Sequence, residues 1–367
     1  MKIAFDAKRA YHNQRGLGNY SRDYIRLLSL YAPETDIFLF NPKHKNSIQL
    51  PFANKIEEIV PTGIWKFFPS VWRSAGCCAE LKSLNIDIYH GLSGELPYNI
   101  HRTNVQKIVT IHDAIFVRYP HLYSPTYRTL FLEKCKYACR VADKIIAISE
   151  QTRQDCIECF GAEERKIEVV YQGCSNIFRQ KVSEEQKKTI REKYNLPENY
   201  ILDVGAIEPR KNLENLLRAL AISRLDTTLV VVGGNNKYAD KMKQLAKELG
   251  VQTLFLHNTD FVDFPALYQQ ALTLAYPSQF EGFGIPILEG LCSNIPVLTS
   301  KGSCFAETGG DAALYANPND INDIADCLVR ITTDNNLRKQ MIEKGKVQAE
   351  KFTDEKIGNR IKLLYNL

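Results

Sequence analysis

The chain has 367 residues, more than one ordinary core accommodates, so two domains are expected. Its 44% apolar and 24% charged residues are those of a globular protein, and its net charge of +5 forms no Lys/Arg stripe and no reader motif, which excludes a nucleic-acid partner. No apolar run reaches the roughly 18 residues of a membrane-spanning helix. The start, Met1 to Asp6, reads as a strand and not a signal peptide, so a cytoplasmic protein with reduced cysteines is expected; the mild positive charge is compatible with weak attraction to an anionic membrane surface.

Short apolar strands alternate with longer amphipathic helices, which predicts parallel sheets covered on both faces, and the pattern occurs twice. In the first half the predicted strands are Lys2–Asp6, Asp36–Phe40, Asp87–His90, Val105–Ile111 and Lys144–Ile148. Helices fit Asn19–Tyr31, Ser70–Leu84, Thr126–Val141 and Glu150–Phe160. The first strand leads into Gln14-Arg15-Gly16-Leu17-Gly18-Asn19-Tyr20, where Gly16 and Gly18 let backbone N–H groups meet a phosphate or an acceptor hydroxyl. The dinucleotide fingerprint is incomplete, and the next strand ends in Asn41 rather than an acidic residue, which argues against a dehydrogenase. His112-Asp113 ends a strand, where an imidazole suits a sugar hydroxyl or proton traffic. His90 is a second strand-end histidine, read as shaping a cleft. Gly63 to Arg73 holds both tryptophans beside Lys66 and Arg73, a mixture suited to a membrane interface or equally to a packed helix with cationic edges. Cys135/Cys139 and Cys156/Cys159 fall at helical spacing and read as buried apolar residues; no second Cys/His pair suggests a metal.

A break at Tyr171–Asn176 and a polar segment, Gln180–Lys193, lead to the second half. Its strands are predicted at Tyr200–Gly205, Thr228–Val232, Thr253–His257, Leu272–Tyr276 and Pro296–Thr299. Helices lie between them, and Asn322–Ile331, Asn336–Lys351 and Glu355–Tyr365 are also helical. After the first of these strands, Gly205-Ala206-Ile207-Glu208-Pro209-Arg210-Lys211-Asn212 sets a guanidinium fork beside a point charge, a phosphate-binding combination. After the fourth, Pro277-Ser278-Gln279-Phe280-Glu281-Gly282-Phe283-Gly284-Ile285-Pro286 leads into a helix opened by Pro286, with Glu289 about a turn inside it. Gly282 and Gly284 allow a sharp turn close to a ligand, and the first helical turn leaves N–H groups for an anion.

The pair Glu281/Glu289, spaced E-x7-E around G-F-G-I-P between a strand and a helix, resembles the donor-site signature of family 4 glycosyltransferases, retaining enzymes of the GT-B fold. Pro209-Arg210-Lys211-Asn212 resembles that family's phosphate clamp, with Ala206 where many members carry Arg. The resemblance implies an α/β protein of two doubly wound domains facing across a cleft: residues 1–172 on the acceptor side, 173–350 binding a sugar nucleotide, and 351–367 crossing back as a last helix. It implies that Glu281 contacts the transferred sugar and Glu289 the ribose. The amides of Gly282, Phe283, Gly284 and Ile285, with Gly16, Gly18 and Gly205, would face the donor, and Arg210 and Lys211 its diphosphate. His112 would lie near the reacting carbon, Phe261-Val262 beside the base, and Phe305 to Ala313 would be structural. No metal and no further cofactor is implied. A hexose, mannose by resemblance to members with the same clamp variant, would pass from a sugar nucleotide such as GDP-mannose to a saccharide or lipid-linked acceptor in polysaccharide or lipopolysaccharide assembly. A GT-B epimerase or phosphorylase is the rival enzyme. A non-enzymatic sugar-binding protein is disfavoured by the dense phosphate clamp.

Overall fold

The computed structural model describes residues 1–44 and 56–367. The chain divides into two compact units, Met1–Gln172 with Asp354–Leu367, and Gly173–Thr353.

Among the described residues the first unit has a sheet of seven strands: β1 (Lys2–Asp6), β2 (Asp36–Phe40), β3 (Ile56–Ile59), β4 (Ile88–Gly91), β5 (Gln106–Ile111), β6 (Lys144–Ala147) and β7 (Ile167–Val169). Their order is β3-β2-β1-β4-β5-β6-β7, with every pairing parallel. Strands covered on both faces read as continuous apolar runs, and Ile3 accordingly pairs with both Ile37 and Ile88 in the core. The order reverses between β1 and β4, and in such sheets ligands bind outside the carboxyl ends of the strands at that point. Asp6 and Gly91 mark this edge.

His90 does not shape a cleft. It is fully buried; its Nδ1 lies 2.6 Å from the Tyr365 hydroxyl and its Nε2 2.8 Å from Thr110 Oγ1. Burial holds its pKa down at about 3, so it stays neutral and ties β4 and β5 to the residue after the closing helix, Asp354–Leu364. That helix also meets Gly16–Tyr31: Arg26 Nη1 donates to Asp354 at 2.9 Å, and Gly358 lies flat against the Tyr31 ring. Of the Gly63–Arg73 stretch, Trp72 and Arg73 turn inward. Trp72 is buried and stacks on Phe40 at 5.8 Å, and its indole N–H donates to Glu80. Arg73 pairs with Asp6 and Glu95.

The second unit's sheet has six described strands: β8 (Tyr200–Val204), β9 (Thr228–Val232), β10 (Thr253–Leu256), β11 (Thr273–Tyr276), β12 (Val297–Ser300) and β13 (Ala313–Ala316). The order is β10-β9-β8-β11-β12-β13, again parallel throughout, with the reversal between β8 and β11. The two loops carrying the phosphate-clamp and E-x7-E motifs leave the sheet at these neighbouring strands.

Several elements depart from expectation. The strands β3, β7 and β13 are short and only partly buried, so their apolar signal is weak. The polar segment Gln180–Lys193 contains a helix, Glu184–Tyr194, started by a reciprocal capping box between Ser183 and Gln186. It buries no residue, so it shows no apolar period. The Ile285–Cys292 helix opens at Ile285, with Pro286 second, because Gly284 at φ +86° makes the turn.

Candidate active site

The site is built where β8 and β11 end. The loop after β8 starts at Gly205, whose φ of +146° a side chain rarely adopts. Pro209–Lys211 form one tight turn, and Asn212 follows in the left-handed region. The Asn212 side chain is buried and donates to the carbonyls of Pro277 at 3.0 Å and Pro318 at 2.7 Å. It therefore ties the clamp loop to the loop after β11. Gln279 N donates to the Arg210 carbonyl across the same seam at 2.9 Å.

Three of the expected site residues meet at one atom. Glu281 Oε1 receives Lys211 Nζ at 2.6 Å, Ser278 Oγ at 2.6 Å and the Tyr276 hydroxyl at 2.9 Å, and pairs with Arg210 Nη1 at 2.7 Å. Arg210 also donates to the Phe280 carbonyl at 2.7 Å and to Glu208 at 2.6 Å. Lys211 Nζ donates to the Tyr276 hydroxyl at 2.6 Å and sits 4.9 Å from that ring's centroid. Burial alone would raise the Glu281 carboxyl; Lys211 and Arg210 outweigh it and hold it at about 2. The two cations so placed keep the carboxylate ionised and fixed.

Glu281 also anchors the loop. Ser303 Oγ donates to its carbonyl at 2.9 Å and Cys304 Sγ at 3.2 Å. Gly282, Phe283 and Gly284 are buried and lead into Ile285. The Phe283 ring is core, 2% exposed and edge-on to Phe352, and its carbonyl accepts from Thr308 Oγ1 at 2.5 Å. Thr308 lies in the Phe305–Gly309 helix, whose neighbouring carbonyls are held by the Gln348 amide. Glu289 stands on the second turn of Ile285–Cys292 and accepts from the Tyr268 hydroxyl at 2.7 Å. Burial raises its pKa to about 7, Tyr268 pulling the other way.

In the first unit, His112 follows β5 directly. Its Nε2 donates to the Leu92 carbonyl at 2.8 Å, which leaves Nδ1 as the acceptor nitrogen, and the Tyr20 ring stands edge-on at 4.6 Å. Burial holds its pKa at about 4, against the Leu92 carbonyl, so it is neutral near pH 7, a form that suits hydrogen bonding to a sugar hydroxyl and makes it a weak base. Gly16 is the first residue of the Gly16–Tyr31 helix. Gly18 is glycine for packing: a Cβ there would lie 1.7 Å from the Asn13 carbonyl oxygen.

The family model described as "Glycosyl transferases group 1" matches residues 186–348, and that described as "Glycosyltransferase Family 4" matches residues 29–175. The chain belongs to the family 4 glycosyltransferases. The transferase is 27% identical to O-antigen chain mannosyltransferase B of Escherichia coli over 97% of both chains. Its fold is that of sucrose-phosphate synthase from Thermosynechococcus elongatus (TM-score 0.81, 20% identity, 100% of this chain and 98% of that one). Anabaena HepE in complex with UDP-glucose is also similar (TM-score 0.78, 18% identity, all of both chains). The architecture is therefore GT-B.

Sequence reasoning missed several residues of the candidate site. Tyr276 and Ser278 complete the Glu281 shell, Tyr268 holds Glu289, and Ser303 clasps the loop from the far side. Asp203 lies buried in β8, its carboxyl raised to about 7 by burial with Lys211 opposing. A lone acidic residue inside the run Ile201-Leu202-Asp203-Val204 was the available signal. Conversely, Gly233 is glycine because a Cβ would lie 2.4 Å from the Gly205 carbonyl oxygen, while Phe261 and Val262 are exposed rather than packed away.

Proposed function

We propose that the enzyme transfers a hexose, with mannose favoured, from a nucleoside-diphosphate sugar to a saccharide or lipid-linked acceptor of polysaccharide or lipopolysaccharide assembly, with retention of anomeric configuration. The observation that carries this reading is the meeting of Arg210, Lys211 and Glu281 beside the first turn of Ile285–Cys292. Two adjacent cations and the start of the Ile285–Cys292 helix suit a diphosphate, and a fixed carboxylate suits sugar hydroxyls. As the bond to the sugar breaks, charge grows on the leaving diphosphate, and cations already in place stabilise it without reorganising. Glu289 takes the ribose, and the exposed Phe261-Val262 pair suits the base. The acceptor hydroxyl attacks from the face the diphosphate leaves. GDP-mannose is the favoured donor, because the full-length relative is a mannosyltransferase; the UDP-glucose bound by HepE keeps UDP-hexoses as the competing class.

The test is thermal shift with a panel of GDP- and UDP-sugars and the bare diphosphates. Lys211→Met is expected to lose the shift with every member. Glu281→Ala is expected to keep the shift with the bare diphosphate and to lose the increment contributed by the sugar. An equal shift in wild type and Lys211→Met would rule out the donor site proposed.

Among the described residues no helix is long and apolar enough to cross a membrane. Ile64, Phe67, Phe68 and Val71 are nonetheless 67%, 80%, 53% and 52% exposed around Lys66, an apolar patch with a cationic member that fits the surface of an anionic bilayer. Peripheral association through this patch would bring the enzyme to a lipid-linked acceptor. Flotation with anionic vesicles, unchanged by Phe67→Ser with Phe68→Ser, would remove that part of the reading.

A further inference from the structure

The clamp loop after β8 sets two cations against two carboxylates. Arg210 Nη1 lies 2.7 Å and Lys211 Nζ 2.6 Å from Glu281 Oε1, while Arg210 Nη2 lies 2.6 Å from Glu208 Oε1. The formal charges of these four side chains cancel, and Asp203, close to Lys211, adds no positive charge. A sugar nucleotide brings a negatively charged diphosphate. A cluster already neutral offers it little net attraction, so one carboxylate has to give way before both cations can act on it.

The two carboxylates are not held alike. Glu281 is 12% exposed at its side chain and is bonded by Lys211, Ser278 and Tyr276 besides its contact with Arg210. The Glu208 side chain is 43% exposed, against 12% for Arg210 and 14% for Lys211, and among the described residues it bonds Arg210 alone. Glu208 is therefore the solvent side of the clamp, and a diphosphate arriving from water meets it first. An ion pair with one exposed member is weakly held, whereas a buried carboxylate with several donors is not. The backbone under Glu208 need not move. It is extended at φ −147° and ψ 156°, its carbonyl accepts from Lys211 N at 3.0 Å, and Pro209 follows with its own φ fixed. Rotation about the side-chain bonds is enough to carry the carboxylate away from Arg210.

We propose that Glu208 is a displaceable counter-ion of the donor clamp: it neutralises Arg210 until a diphosphate takes its place on Nη2. This rests on the reading above that Arg210 and Lys211 receive a nucleoside diphosphate, and it adds the residue that sets how tightly they do so. The same carboxylate competes for Arg210 after transfer, which hastens departure of the spent nucleotide. A Glu208 that merely braced Arg210 in position would have the opposite effect, because its loss would leave the guanidinium less well placed.

The experiment is calorimetric titration of the full chain with UDP and with GDP, at low and at physiological ionic strength. Glu208→Gln keeps the length and shape of the side chain and removes its charge. It is expected to bind whichever diphosphate the wild type binds about fivefold more tightly at low salt, and to show a smaller gain at higher salt, where charges near the surface are screened. Equal or weaker binding by Glu208→Gln overturns the proposal, and so does a gain that salt leaves unchanged. Lys211→Met separates this outcome from failure of the donor site. If Lys211→Met loses the diphosphate while Glu208→Gln gains nothing, the counter-ion role alone falls. If Lys211→Met binds as the wild type does, or the wild type binds neither diphosphate, the donor site falls and Glu208 with it.

Discussion

Replacing Glu281 with Gln tests the electrostatics on which the donor site depends. The substitution keeps the shape and an acceptor for Ser278 and Tyr276, but removes the charge that compensates Lys211 and Arg210. Two estimates of the cost agree. A carboxyl held at about 2 in the folded chain, against an unfolded value of about 4.3, contributes about 3 kcal/mol at neutral pH. Removing one partner of a buried ion pair costs about 3–5 kcal/mol, and the lower end applies because Arg210 keeps Glu208 at 2.6 Å. For a unit of this size that is a fall of about 6–12 °C in its melting transition. The pH dependence is the sharper signature. A depressed folded pKa gives stability that is present above the unfolded value and lost as pH falls through the folded one. The wild-type advantage should therefore hold from neutral pH to about 5, halve near about 3 and vanish below about 2. Urea unfolding of both proteins across this range, followed by calorimetry at neutral pH, measures it. A difference under about 1 kcal/mol, or one that does not change with pH, would mean that the carboxylate is not neutralised by the two cations.

Glu289→Gln should act in the opposite sense: its carboxyl is raised to about 7, so wild-type stability falls as pH climbs from about 4.3 towards that value, and the variant should be more stable above it by about 1–2 kcal/mol after solvent screening, as read by melts at several pH values. The same variant should bind nucleoside diphosphates more weakly by calorimetric titration, because a ribose hydroxyl loses its charged acceptor. Tyr365→Phe leaves the buried His90 Nδ1 without its partner at 2.6 Å and should cost about 1–3 kcal/mol, with faster hydrogen exchange in Asp354–Leu364; unchanged exchange would deny the pin. Gly18→Ala drives a Cβ to 1.7 Å from a backbone oxygen that cannot yield and should cost upwards of about 3 kcal/mol in urea unfolding. Gly16→Ala meets nothing within 4 Å and should stay within about 0.5 kcal/mol of wild type.

What the sequence made legible follows from which signals are local. Strands buried on both faces announce themselves as apolar runs, and β1, β2 and β9 have the bounds their residues predict. Edge strands such as β3, with Glu57 and Glu58 inside it, lack that signal, as does a helix like Glu184–Tyr194 that buries nothing. The donor motifs were readable because their chemistry is contiguous: Arg210 and Lys211 are adjacent, and Glu281 sits in one glycine-rich loop. Their mutual arrangement was not. Nothing local says that a carboxylate seventy residues on from Lys211 will rest on its ammonium, or that Tyr276 will bond both.

The histidines show the same division from the other side. His90 and His112 both end strands, and residue type alone gives each an imidazole that titrates near neutrality. Their surroundings decide otherwise. Burial beside Tyr365 and Thr110 removes the proton from His90 until about pH 3, and burial behind Leu92 removes it from His112 until about pH 4. A lowered pKa makes each a weak base near pH 7, which favours another base for the proton released by an acceptor. The leaving diphosphate is the base that the chemistry itself supplies, and an activity profile against pH should then lack a limb that disappears in His112→Asn. A neutral limb present in wild type and absent from that variant would return proton transfer to His112.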